Sequence, residues 1–357
     1  MLAFRYIALH YLKYFFIILT ALVLFWLGFD YMQHAEKLSK SANLLLIYFV
    51  YKSFFVIDML LPLALVFGMI STKIFLIRSN ALVSFYSLGY SRVDVLKPFV
   101  VVATLVSIFF IFLHSFNSFS RSAEYSMNIR NQGQYLSPTR DLFFTYKDQF
   151  IYFGEMLPLQ KKAIDIRVFT VEDSSLREVL VAKQATYWDE SWHIKSADII
   201  TKPKSLGFDS KGMKVRSEKD LKILEGFKPK MLDQVYEGKV NFTIKDAFDA
   251  MTLLDRQNID TSSIKGALYK IFIYPLFVPC LVVIIFFFVP MSVRFLNVSV
   301  FSFGAILATL MIWGSLFALI ELSNNKTIPS ELGVIAPVLV LFLIALRQWR
   351  KYRLATS

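Results

Sequence analysis

The side chains able to do chemistry are few in this chain, and their spacing is wrong for it. A loop that cradles nucleotide phosphates needs glycines followed by a lysine that reaches those phosphates. The nearest string is Gly207-Phe208-Asp209-Ser210-Lys211-Gly212-Met213-Lys214, with Met213 in the place of the lysine, so its glycines read as turn residues. The four histidines, His10, His34, His114 and His193, are scattered, and no pair has the spacing of metal ligands on one helix. The one cysteine, Cys280, lies inside an apolar run, which excludes a disulfide framework and a thiolate metal site. There is no Gly-x-Ser-x-Gly elbow and no cysteine, histidine and asparagine set. The sequence therefore predicts a protein that is no enzyme and holds no cofactor or metal. Acids inside a membrane would mark ion coupling. Asp30, Asp58 and Glu321 fall near the ends of apolar runs, where snorkelling to the interface is the expected reading, and no acid is expected at mid-membrane for an ion-coupled carrier.

The elements that must position anything else are apolar. Hydrophobic residues make up 56% of the 357, Phe alone accounts for 36, and they gather in long runs instead of amphipathic spacing. Six spans are expected, at about 11–31, 54–77, 99–116, 268–289, 298–319 and 332–346. The net charge of +12 could point to nucleic acid, but its distribution argues otherwise. Between Phe119 and Lys265 there are 23 Lys plus Arg against 21 Asp plus Glu, and elsewhere 16 against 6. The excess flanks the spans and orients them, so no nucleic-acid partner is expected. Both termini are placed in the cytoplasm and the insert between spans three and four outside it.

That insert changes period. Stretches such as Leu142 to Tyr146, Phe150 to Phe153, Ile164 to Val171, Glu178 to Trp188 and Trp192 to Thr201 alternate, with hairpin turns read at Lys147-Asp148-Gln149 and Asp189-Glu190-Ser191. An all-β sandwich or open roll follows, with Phe144, Tyr146, Phe150, Tyr152, Ile166 and Val168 expected to share one apolar face. Helical spacing returns over 243–258, where Ile244, Ala247, Phe248, Met251 and Leu254 share a face. The expected organisation is a helical part over 1–118, a β domain with its amphipathic helix over 119–265, and a second helical part with a basic tail over 266–357.

The loop from Arg78 to Arg92 places Leu82, Phe85, Tyr86 and Gly89 at helical spacing, with Ser79 as N-cap and Gly89 as stop. Such a helix over 79–91 either rests on lipid or docks into a groove of a separate nucleotide-binding subunit. Lys37 and Lys40, closing span one, either anchor it or meet lipid phosphates at headgroup depth.

Three spans, a β-rich insert and three more spans, with Arg5-Tyr6-Ile7, Leu61-Pro62-Leu63-Ala64, Ala81-Leu82 through Leu88-Gly89-Tyr90-Ser91, Lys97-Pro98, Lys270 with Pro275-Leu276, and Ile328-Pro329, resemble the LptF/LptG permeases of lipopolysaccharide export. The resemblance covers essentially the whole chain, and the Asp30-to-Leu38 segment leans it slightly to the G member. It implies a helical membrane protein with six spans and an inserted periplasmic jellyroll-like domain. It implies a half-transporter in the bacterial inner membrane, paired with its paralogue (LptF or LptG), an LptB-type ATPase dimer and an LptC-type bitopic protein. Residues 79–91, with Asn80, Leu82, Phe85, Tyr86 and Gly89, would then be the ATPase coupling helix, although an acid commonly stands where Asn80 does. Lys37, with Lys40, would contact lipid phosphate, and the six apolar β residues would line a passage for acyl chains. The rival from another class is a membrane scaffold whose β domain only binds partners.

Overall fold

The computed structural model describes residues 2–38, 41–131, 139–146, 149–157, 160–172, 175–203, 212–227, 243–255, 261–288, 298–325 and 327–354. It divides into two compact units, Met1–Gln132 with Asn241–Ala247 and Ser262–Ser357, and Gly133–Val240 with Phe248–Thr261.

The first unit is helical. Helices α1 (Leu2–Leu38) and α2 (Ala42–Arg78) form a hairpin, followed by short α3 (Ala81–Ser87) and by α4 (Arg92–Leu113). Two short helices, α5 (Asn117–Ser120) and α6 (Ser122–Arg130), lead away, and α7 (Ile244–Asp255), divided between the units after Ala247, falls within the expected 243–258, whose last residues lie outside the described ones. Then come α8 (Ser262–Phe272), a 3-10 turn (Tyr274–Leu276), α9 (Phe277–Phe288), α10 (Val298–Asn324), a π turn (Glu331–Ile335) and α11 (Ala336–Leu354). Among the described residues six helical stretches are long and apolar enough to cross a membrane, with α8 and α9 counted as one span and the π turn joined to α11. Pro275, lacking an N–H, interrupts the fourth of these.

α1 and α2 have 37 residues each. At 1.5 Å per residue they run ~55 Å, against a hydrocarbon core of ~30 Å. Both project beyond the lipid, which is why span one begins at Leu2 and ends at Leu38 and carries polar residues at its two ends. They approach closely at Gly68, where a Cβ would fall 3.0 Å from the Cα of Phe15. The Tyr11 hydroxyl donates to the Leu65 carbonyl at 2.9 Å beside this contact. α2 and α9 are the buried hub of the unit, whereas α1, α10 and α11 turn large apolar side chains outward, Phe25 at 73% exposure among them. The helical boundary with the second unit falls after Gln132, later than the 118/119 expected, because α6 packs on α2, with Tyr125 and Tyr51 ring centroids 4.9 Å apart.

The second unit is a six-stranded antiparallel meander in the order β1 (Thr139–Tyr146), β2 (Gln149–Leu157), β3 (Lys162–Glu172), β4 (Ser175–Trp188), β5 (Ser191–Thr201) and β6 (Lys214–Ile223). Of the sandwich and open roll expected, the described residues form an open, curled sheet. Asp189 and Glu190 both have positive φ and make the tight turn between β4 and β5. Asp141, Asp165 and Asp220 also take left-handed backbone inside strands, at φ of 51, 51 and 55°. Such kinks bend a strand and tighten its twist. The bend is large: Phe153 on β2 and Trp192 on β5 have ring centroids 5.4 Å apart, although three strand spacings in a flat sheet are ~14 Å. Phe227 fills the concave side, stacked on Phe144 at 4.7 Å, and its carbonyl accepts from the Trp192 indole at 2.9 Å.

Candidate functional site

The best defined feature is the turn-helix-turn between α2 and α4. Asn80, not Ser79, occupies the N-cap of α3, in left-handed conformation at φ 56°, while the Ser79 hydroxyl donates back to Phe75. Asparagine is among the few residues with a side chain that tolerate this conformation, which gives Asn80 a backbone role. At the other end the Tyr90 N–H donates to the Phe85 carbonyl and the Gly89 N–H to that of Tyr86, with Gly89 at φ +86°. This is a Schellman stop, completed by Tyr90 against Phe85 at 6.0 Å. Ser91 and Asp94 then form a capping box that starts α4.

The packing of α3 sets which face turns outward. Leu82 is fully buried in the core of its own unit, and Phe85 and Tyr86 are half-buried against the same core. Phe85 meets Tyr6 of α1 at 6.2 Å. Burial pushes the Tyr86 phenol up to about 12, partly opposed by the positive charge of Arg92. The face expected to meet a partner is therefore the one that anchors the helix. The outward edge is Val83, Ser84, Ser87 and Leu88, with Leu88 74% exposed, together with Asn80 and Gly89. The signal for it was in the sequence: Val83 and Leu88 are apolar and fall off the Leu82 stripe.

Eight residues before α3, Lys73 is buried inside the helical unit. Its ammonium donates to the Phe286 carbonyl and sits 3.6 Å from the Phe286 ring centroid. Phe286 lies in the last turn of α9, where carbonyls lack a helical partner and a cation is favoured. Lys73 thus caps α9 from α2 and couples the two helices of the hub.

At the opposite end of the α1–α2 hairpin, Asp30 is 8% exposed, pairs with Lys52 at 2.8 Å, and accepts from the Tyr48 hydroxyl. His34 donates from Nδ1 to the Asp30 carbonyl at 2.9 Å and accepts at Nε2 from Arg130 at 3.2 Å. Deeper in, Asp58 meets the His114 Nε2 at 2.9 Å, and the His114 Nδ1 faces the Phe110 carbonyl at 3.1 Å. Both nitrogens face oxygen. The snorkelling expected of Asp30 is corrected here, because Asp30 is buried in an ion pair, whereas Asp58 is paired with His114 at the C-cap of α4. The placing of Lys52, Asp58 and Lys73 within a long, mostly apolar stretch was the available signal, since a charge kept there must find a partner. Lys37 lies in the last turn of α1, and Lys40 lies outside the described residues. Among the described residues no group of three or more His, Cys, Asp or Glu could hold a metal ion.

In the sheet, Phe144, Tyr146, Ile166 and Val168 point to the buried face. Phe150 and Tyr152 do not. The register pairs Tyr146 with Gln149 and Phe144 with Ile151, so Ile151 and Phe153 join the buried face and Phe150 and Tyr152 take the other. Gln149, expected in the turn, pairs as a strand residue, while Lys147 and Asp148 lie outside the described residues, and a shift of one residue turns every side chain of β2 over. The Tyr152 hydroxyl donates to Asp141 at 2.6 Å, a bond that raises its phenol, with burial adding to it. Tyr146 donates to the Glu225 carbonyl at 2.6 Å. Burial, and then the charge of Glu225, raise the Tyr146 phenol.

A family model described as "Lipopolysaccharide export system permease LptF/LptG" matches residues 5–351. No curated protein matches the chain.

Proposed function

The chain belongs to the LptF/LptG family of lipopolysaccharide export permeases, and we propose on that premise that it is a half-transporter worked by a separate ATPase. Its α3 end, with both termini, lies in the cytoplasm and the sheet unit in the periplasm. The basic ends Arg78, Arg92, Lys97, Arg347, Arg350 and Lys351 support that placement. An LptB-type ATPase dimer receives the outward edge of α3, while a paralogous permease and an LptC-type bitopic protein complete the membrane part. Lipopolysaccharide enters beside the spans, Lys37 and Lys40 meeting its phosphates, and passes its acyl chains to the concave face that carries Phe144, Tyr146, Ile166 and Val168.

The observation that carries this reading is the orientation of α3. A short helix closed by a Schellman stop, with Leu82 locked inward and Leu88 turned out, presents a fixed outward edge. Lys73 ties α2 just before α3 to the end of α9. The test replaces Leu88 by Asp in the complex assembled with ATPase and paralogue. The ATPase should dissociate in detergent while the permease keeps its thermal stability. A complex that stays whole and hydrolyses ATP at the normal rate contradicts the coupling role.

A second reading, a scaffold whose sheet binds partners, is favoured by the aromatic packing of Phe144, Phe153, Trp192 and Phe227, which fills part of the interior. It is separated from transport by whether lipid enters the concave face during ATP turnover.

A further inference from the structure

Between α4, α9 and α11 runs a groove of about 560 Å³, whose walls include Val100, Cys280, Val283, Val338, Phe342 and Trp349. Thr104 supplies the one hydroxyl among its lining residues. Along the sixth span the lining extends from Ile335 to Trp349, a rise of ~21 Å, against ~15 Å for half of a hydrocarbon core. The groove is therefore long enough to cross one leaflet. With about 560 Å³ along that length, the groove can hold an extended hydrocarbon chain.

Cations continue the line of the groove where it reaches the surface. Lys97 stands one turn before Val100 on α4, and on α11 Arg350 and Arg353 stand four residues after Leu346 and Trp349. Asp94 takes one of the Lys97 hydrogen bonds, at 2.7 Å, and a lysine ammonium has two more to give. Basic residues close most cytoplasmic span ends. These three differ in ending an apolar channel one acyl chain deep.

We propose that this groove is a binding site for an anionic glycerophospholipid of the cytoplasmic leaflet, its acyl chain along Val338 and Phe342 and its phosphate at Lys97, Arg350 and Arg353. The proposal rests on the cytoplasmic placement of α3. It concerns a lipid that stays with the permease, held by the leaflet opposite to the one from which the cargo is taken. Basic pockets between spans on that side select anionic headgroups, each cation strengthening the attraction.

The test places a photo-crosslinking residue at Phe342 in the complete complex, in membranes holding phosphatidylethanolamine, phosphatidylglycerol and lipopolysaccharide, and reads the adducts by mass. Phosphatidylglycerol should be enriched over its bulk share, and each of K97Q, R350Q and R353Q should lower that enrichment by about fivefold at most. A345F, which narrows the groove and leaves the cations in place, should remove the lipid adduct. Adducts that mirror the bulk lipid, adducts of lipopolysaccharide, or adducts of a polypeptide would each overturn the site. A cysteine at Ser79, probed in whole cells with an impermeant thiol reagent, reports the side of α3 independently. Labelling from outside sinks the topology and the lipid site together, whereas a protected Ser79 position with unselective adducts sinks the lipid site alone.

Discussion

The two units of this protein sort their side chains in opposite senses. In the helical unit Phe16, Phe25, Phe303 and Phe342 face outward, while Asp30, Lys52, Lys73 and His114 are buried. In the sheet unit Phe144, Phe153, Trp192 and Phe227 are buried, and Arg140, Arg167 and Arg216 stand outside in exposed ion pairs. The difference is one of solvent. Lipid cannot hydrate a charge, so a charge retained among the spans is held by a partner with fixed geometry, and losing the partner strands it. Water hydrates the sheet's ions whether or not they pair, so those pairs carry little free energy.

The largest expected effect comes from stranding a charge. Lys52→Met leaves Asp30 buried without its cation and should destabilise the helical unit by about 3–5 kcal/mol in a detergent unfolding assay. Adding Asp30→Leu should restore most of the loss; a double variant no better than the single would show that the pair is not the unit of stability. Slightly below it stands Phe153→Ala, whose cavity in the curled sheet should cost about 3 kcal/mol or more, read as lost amide protection confined to 139–227. A loss of protection spread equally over the spans would break the division into two units.

What the sequence disclosed follows the same division. Continuous apolar runs revealed six spans because no soluble element needs them, and alternation revealed the strands because one face of the sheet is buried. The ends of the spans were not legible, since Arg5, Asp30 and Lys37 look like stops yet ride on helices that outrun the lipid. The phase of β2 was not legible either. It depends on whether the turn after Tyr146 holds two residues or three, and Lys147-Asp148-Gln149 fits both. The facing of α3 depended on contacts with Tyr6 and with α2, far along the chain from Leu82. Lys52 and Lys73 needed distant partners, Asp30 and Phe286, to acquire meaning.

Smaller effects sharpen the contrast. Gly89→Ala places a Cβ on left-handed backbone and should cost about 1 kcal/mol, with weakened ATPase retention in a pull-down as the local sign. The Tyr86 phenol, raised by burial to about 12, should show no phenolate absorption until the pH approaches that value. Because the folded state holds this proton more tightly than the unfolded chain, its burial contributes fully below pH ~10 and is lost as pH rises towards the raised value. Tyr86→Phe should remove that alkaline step, and an unchanged step would assign it elsewhere. The smallest effect belongs to the sheet's surface: Arg140→Ala, which breaks a pair with Glu155 at 3.2 Å, should change stability by no more than about 0.5 kcal/mol.

The central claim is that the concave face of the sheet receives lipid driven out of the membrane by an ATPase bound at α3. Its most direct test is a photo-crosslinking residue at Val168, on the buried face, compared with one at Tyr152, on the other. Both would be placed in proteoliposomes holding the permease, its paralogue, the bitopic protein, the ATPase and lipopolysaccharide. Lipopolysaccharide should be captured at Val168 only when ATP is hydrolysed, and not at Tyr152. Capture at Val168 that is equal without ATP, or absent during turnover, would contradict the account.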